Sequence, residues 1–181
     1  MCSSDLLNIL QRLCGIATLT KQYVEKADPV QILDTRKTTP GLRSFEKYAV
    51  SCGGGKNHRF GLYDAVLIKD NHIKASGGII QAVKKVKENN NIGIKIEVET
   101  TTLDEVRDAI KAKSDIIMLD NMSMDDIKEA VSIIDGRARI EVSGLISIDQ
   151  LGALSKIDID CVSIGALTHS SKASDISMNF L

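Results

Sequence analysis

The sequence predicts an α/β fold: an incomplete TIM-like (β/α) barrel of about six parallel strands with a leading N-terminal helix. Three observations predict it. Six short β-type segments recur, helix-like sequence separates each from the next, and the strand starts are fairly evenly spaced after the second. The same alternation allows an open doubly wound sheet. Even spacing favours the barrel, and six strands rather than eight predict imperfect closure.

The elements follow in order. Asp5 is placed to cap a long first helix carrying Leu6, Leu10, Leu13 and Ala17 on one face. The strands are expected at 31–36, 65–69, 94–99, 116–120, 139–143 and 161–165. Most are near-continuous apolar runs, such as Ile116-Ile117-Met118-Leu119, as expected of strands covered on both faces. Between them, apolar residues three and four apart mark helix faces. Ile79, Ile80, Val83 and Val86 form one stripe, and Leu103, Val106 and Ile110 the next. Met124, Ile127, Val131 and Ile134 follow, then Ile148, Leu151 and Leu154. Ser123 with Asp126, and Ser147 with Gln150, have the spacing of helix-capping pairs. Residues 37–63 form the longest stretch between strands, rich in glycine and proline, and loops of that length are usually functional. Gly53-Gly54-Gly55-Lys56 lacks the glycine spacing and the Ser/Thr of a P-loop and reads as a hinge.

Composition sets the outer limits. The 181 residues suit one domain, 1–181, and 43% hydrophobic with 26% charged residues argues against disorder. A net charge of −1 provides no global field for nucleic acid or an anionic membrane, so any anion must be met by local clustering. No apolar run is long enough to cross a bilayer, and the first five residues lack the pattern of a signal peptide. Cys2, Cys14, Cys52 and Cys161 form neither a CxxC pair nor a zinc pattern, as expected of reduced thiols in a cytoplasmic protein.

Barrel active sites lie at the carboxyl ends of the strands. Those ends read Asp34-Thr35-Arg36-Lys37-Thr38, Lys69-Asp70-Asn71-His72, Glu97-Val98-Glu99, Leu119-Asp120-Asn121, Ser143-Gly144 and Gly165-Ala166. Cations come first, then carboxylates, then small residues with accessible backbone. Arg36 offers a planar fork for carboxylate or phosphate, and Lys37 and Lys69 are point charges. His58 and Arg59 add donors if their loop folds over the site. Glu99 and Asp120 suit Mg²⁺ or ribose hydroxyls rather than an anion. Glu97 shares a strand face with Glu99, but Glu99 lies nearer the rim and is the candidate. Ser143, Gly144 and Gly165 resemble a phosphate cradle, with His169 as a further phosphate contact. A polyanionic, phosphate-bearing substrate is the expectation.

These segments together resemble the quinolinate phosphoribosyltransferase family. The likeness is carried by Leu13-Cys14-Gly15-Ile16-Ala17-Thr18, Asp34-Thr35-Arg36-Lys37-Thr38-Thr39-Pro40-Gly41-Leu42-Arg43, Lys47-Tyr48-Ala49-Val50 and Gly53-Gly54-Gly55-Lys56-Asn57-His58-Arg59. It continues through Leu67-Ile68-Lys69-Asp70-Asn71-His72 and the later strand ends to Gly165-Ala166-Leu167-Thr168-His169-Ser170, over nearly the whole chain. The resemblance implies transfer of phosphoribosyl from phosphoribosyl pyrophosphate to quinolinate, with decarboxylation to nicotinate mononucleotide. It implies that Arg36, His58, Arg59 and Lys69 grip the two quinolinate carboxylates. Lys37, Glu99 and Asp120 match the catalytic positions around phosphoribosyl pyrophosphate, with Glu99 and Asp120 as Mg²⁺ ligands. Ser143, Gly144, Gly165 and His169 match the cradle of the sugar phosphate. A homodimer or higher homo-oligomer is also implied, with no nucleic-acid or membrane partner. Three departures stand beside the likeness: the family's N-terminal domain is not in this sequence, Ser3-Ser4-Asp5 stands where an arginine is usual, and Leu145 replaces a glycine after Gly144. These leave two alternatives open, a non-catalytic or truncated anion-binding barrel and a related transferase with another substrate.

Overall fold

A computed structural model describes residues 3–89 and 93–179. The order is α1 (Ser3–Ala27), β1 (Gln31–Leu33), α2 (Arg43–Cys52), β2 (Val66–Ile68), α3 (Asp70–Ser76), α4 (Ile79–Asn89) and β3 (Ile96–Thr100). It continues with α5 (Leu103–Lys111), β4 (Ile116–Asp120), α6 (Met124–Ile134), β5 (Arg139–Ser143), α7 (Ile148–Leu154), β6 (Cys161–Ser163) and α8 (Ala166–His169). The six strands form one sheet in the order β1-β6-β5-β4-β3-β2, and every pairing is parallel. β1 and β2 are therefore the two edges and are not joined, so the barrel stays open along that seam. The free edge of β1 is covered by an isolated bridge from Leu33 to Lys56. Such cover removes an exposed ladder edge.

Strand parity divides the molecule into two chemistries. Cα pairing aligns Leu67 with Glu97, Glu99 with Met118, Met118 with Glu141, and Asp120 with Ser143. Those residues share the inner face, because side chains alternate with period two. The other parity, including Ile96, Val98, Ile117, Leu119, Ile140, Val142 and Val162, packs under the helices in one continuous apolar cluster. The main hydrophobic core thus lies between sheet and helices, while the barrel interior is largely polar. Buried Glu97, Glu141 and Ser163 stand on that inner side.

Local sequence accounts for the helix boundaries. Thr102 and Ser123 accept hydrogen bonds from the backbone N–H groups of Glu105 and Asp126, both at 3.2 Å. Ser147 and Gln150 form a capping box. Each satisfies donors that a helix start leaves unpaired.

Several expectations need correction. Asp5 lies inside the first turn of α1 and favours that helix end by its charge rather than as its cap. Ser3-Ser4-Asp5 is likewise helical. The buried face of α1 is Ile16, Thr20, Tyr23 and Ala27, whereas Leu6 and Leu10 are exposed. Ile80 also leaves its predicted stripe for solvent. Residues 37–63 contain helix α2 rather than one continuous loop. Gly53 and Gly55 do not form a hinge. A Cβ on Gly53 would sit 2.4 Å from the Ala17 carbonyl oxygen, and one on Gly55 2.8 Å from Thr20 and Val50, so these glycines let the chain pack on α1. Strands β1, β2, β3 and β6 differ from their expected bounds by one to three residues at an end.

Cys14, Cys52 and Cys161 are free thiols; Met1 and Cys2 lie outside the described residues. No helix among the described residues is long and apolar enough to cross a membrane.

Candidate active site

The carboxyl ends of the strands open into a pocket of about 830 Å³. All of the sequence candidates line it. Arg36 and Lys37 come from the end of β1, His58 and Arg59 from the segment after α2, and Lys69 from the end of β2. Glu99 and Asp120 stand at the ends of β3 and β4, Ser143 and Gly144 at β5, and Gly165 and His169 around α8.

The cationic wall is built from side chains set against one another. Burial lowers the pKa of the Arg59 guanidinium, and the positive charge of Arg36 lowers it further. Arg36 Nε is buried without a hydrogen-bond partner among the described residues. A pair of neighbouring guanidiniums, one with an unsatisfied buried donor, gains by taking up an anion. Lys69 departs from the expected segregation of charge. Its Nζ lies 2.7 Å from Glu99 Oε2, so cation and carboxylate already neutralise each other across the pocket. Asp120 Oδ2 accepts from Asn121 Nδ2 at 2.7 Å.

The opposite wall is backbone. Gly144 adopts φ +115°, and a Cβ there would meet Asn121 Oδ1 at 2.5 Å and its backbone nitrogen at 2.9 Å. Only glycine accepts both demands. A Cβ on Gly165 would approach Lys37 Cδ at 3.1 Å and the His169 ring at 3.2 Å, so this glycine lets two pocket side chains lie close. Leu145 lines the rim but is 97% exposed, so its side chain projects outward rather than filling the cradle. His169 Nδ1 and Ser170 Oγ are 2.6 Å apart. Thr168 Oγ1 donates to the Lys37 carbonyl at 2.7 Å, tying the two walls together.

Below the cationic wall His58 meets two glutamates that were not selected from the sequence. His58 Nε2 is 3.0 Å from Glu97 Oε2 and 3.6 Å from Glu141 Oε2. Its Nδ1 accepts the Arg59 backbone N–H at 2.8 Å. The ring therefore has both nitrogens engaged, and its expected grip on a substrate carboxylate is already taken by the protein. Burial disfavours the imidazolium, but the two glutamates outweigh it and raise the His58 pKa. Burial, reinforced by Glu97, pushes Glu141 up to about 7. One oxygen of each glutamate is buried without a partner among the described residues. The three ligand atoms lie within 4.8 Å, a spacing that metal sites share. Here the His58 ring already joins the cluster through its hydrogen bond to Glu97. Glu97 is visible in the sequence through its two-residue offset from Glu99; Glu141 bears the same relation to Ser143.

Fold and site together define an open parallel α/β barrel with a pocket of mixed cations and carboxylates at the carboxyl ends of the strands. The model of the quinolinate phosphoribosyl transferase C-terminal domain matches residues 16–179, and the chain belongs to that family. It is 47% identical over 175 residues to a probable nicotinate-nucleotide pyrophosphorylase (carboxylating) of Bacillus subtilis, covering 96% of this chain and 61% of that protein. It is 47% identical over 191 residues to the chloroplastic nicotinate-nucleotide pyrophosphorylase (carboxylating) of Arabidopsis thaliana, covering 96% and 55%. The crystal structure of NadC from Streptococcus pyogenes superposes with a TM-score of 0.94 at 48% identity, covering 99% of this chain and 64% of that one. The chain thus spans less than two thirds of the length of these relatives.

Proposed function

We propose that this chain is the catalytic barrel of an enzyme that transfers phosphoribosyl from phosphoribosyl pyrophosphate to quinolinate and releases CO₂, giving nicotinate mononucleotide and pyrophosphate. The observation that carries this reading is the pairing of Arg36 and Arg59 on one wall with Glu99 and Asp120 on another, within one pocket. A pyridine dicarboxylate matches the first wall, and a sugar bearing hydroxyls and phosphates matches the rest.

In this reading Arg36, Arg59 and Lys69 hold the two carboxylates and orient the ring nitrogen toward the anomeric carbon. His58 shapes the floor and fixes Arg59 through its ring nitrogen. Lys37 stands beside the departing pyrophosphate, and Ser143, Gly144, Gly165 and His169 surround the 5′-phosphate. Positioning and charge complementarity carry the rate, with no residue acting as a nucleophile. The nitrogen forms a bond to the anomeric carbon as the carbon–oxygen bond to pyrophosphate breaks. The resulting pyridinium accepts the electron pair released when the adjacent carboxylate leaves as CO₂, and a proton then replaces it on the ring.

Glu99 and Asp120 also suit Mg²⁺, because both are hard oxygen donors at the pocket rim and Glu99 gives only one of its two oxygens to Lys69. Bound there, the ion would offset charge on pyrophosphate. Cytoplasmic location and assembly as a homodimer or larger homo-oligomer belong to the same proposal. The direct test incubates the chain with quinolinate, phosphoribosyl pyrophosphate and Mg²⁺. Formation of nicotinate mononucleotide with equal CO₂ is expected. A chain that stays inactive when the remaining portion of a relative is supplied in trans, and binds no quinolinate, refutes the reading.

A further inference from the structure

Resting on the proposed quinolinate grip, we infer that the buried Asp34–Lys47 pair is the positioning unit that sets Arg59 against Arg36. Asp34 lies just past β1, two residues before Arg36, and is 0% exposed. Lys47 lies in the middle of α2 and is 2% exposed. Lys47 Nζ donates to Asp34 Oδ1 at 2.5 Å and to the His58 carbonyl at 3.0 Å. Asp34 Oδ1 also accepts the His58 backbone N–H at 2.9 Å. The pair therefore holds both polar groups of one peptide segment, immediately before Arg59. Asn57 Nδ2 adds a bond to the Lys47 carbonyl at 3.0 Å. The neighbouring ladder reinforces the register, with Asp34 N–H donating to the Lys56 carbonyl and Lys56 N–H to that of Ile32.

Stability alone explains this arrangement poorly. Desolvating two charges offsets most of their attraction, and a well-packed apolar pair often serves a core equally well. What an apolar pair lacks is direction. Two charges with three hydrogen bonds fix where the His58 backbone lies, and the His58 ring in turn fixes the Arg59 N–H. Lys47 is itself anchored from behind. Glu46, its neighbour in α2, accepts from Arg12 Nε at 2.7 Å, so α1 holds the helix that carries the clamp. The spacing of the two guanidiniums is then set by buried groups outside the pocket.

A double variant of the full chain, Asp34→Asn with Lys47→Met, removes both charges together and leaves no lone buried ion. The readouts are thermal unfolding, hydrogen exchange at the His58 amide, and calorimetric affinity for quinolinate and for the monocarboxylate nicotinate. Faster His58 exchange is expected, together with quinolinate affinity reduced about tenfold or more. Nicotinate affinity should fall less, so the quinolinate-to-nicotinate preference shrinks, which a purely structural role would not change. If the double variant does not fold, Lys47→Arg keeps the charge while moving the donor and is read by the same preference. A folded variant whose preference equals that of the wild type overturns the inference and leaves the functional reading intact. A wild-type chain that binds no quinolinate overturns the functional reading itself, before any substitution, and the positioning role falls with it.

Discussion

Lys69 Nζ lies 2.7 Å from Glu99 Oε2, so two residues assigned to different parts of the substrate restrain each other before either meets it. A carboxylate arriving at Lys69 competes with Glu99. Glu99→Gln removes that competitor at nearly constant size. Quinolinate binding should hold or strengthen, while binding of phosphoribosyl pyrophosphate with Mg²⁺ weakens about tenfold, the scale of one charge-assisted hydrogen bond. Calorimetry with each ligand alone checks this; equal losses for both would remove the assigned division of labour.

Arg36 is expected to tolerate no replacement. Its buried Nε without a partner and its planar fork are what a carboxylate needs, and lysine has neither the fork nor a donor at that depth. Arg36→Ala and Arg36→Lys should each weaken quinolinate binding about a hundredfold, or about 3 kcal/mol. A lysine variant with near-native affinity would show that charge alone suffices.

Glu141 makes stability depend on pH. Its folded pKa of about 7 lies above the ordinary 4.5, so the native state holds a proton that the unfolded chain releases. That contribution is fully present below about pH 4.5 and is lost as pH rises through about 7. The full span is on the order of 3 kcal/mol at most, since one pH unit corresponds to about 1.4 kcal/mol. Denaturant unfolding of the wild type should show a larger decline from pH 5 to 8 than Glu141→Gln does. Parallel profiles would contradict the assignment.

Gly144 is bounded on two counts, by φ +115° and by Asn121 in the space a Cβ would need. Gly144→Ala should cost about 1–3 kcal/mol of stability, or push the 143–145 turn outward and weaken phosphate binding. Thermal unfolding with and without inorganic phosphate distinguishes the two. A variant unchanged in both would mean the turn relaxes freely.

Much of this architecture is legible from alternation alone. β4 and β5 occupy their expected ranges, and the strand-end reading brings Arg36, Lys69, Glu99 and Asp120 into one pocket because every strand is parallel. Hydrophobic periodicity fails where burial is polar. Asp34, Glu46 and Lys47 are buried, yet as charged residues they read as surface. Counting leucines misplaces the inner face of α1, because Thr20 and small residues let that helix pack closely on α2. Helix α2 is obscured by the glycines around it, although Glu46, Val50 and Ala49 follow helical spacing. The His58 ring illustrates a further limit: residue type suggests an anion contact, but only coordinates show Glu97 and the Arg59 N–H already at its two nitrogens.

The unjoined edge between β1 and β2 has one more consequence. Elsewhere the distance across the site is dictated by the fixed interval between hydrogen-bonded neighbours. Arg36 and Lys69 follow the ends of the two strands that no such ladder holds to each other. Their separation is a tunable dimension, governed by the segments bordering the gap, and the acceptable span between a ligand's negative groups can drift in evolution without rebuilding the sheet.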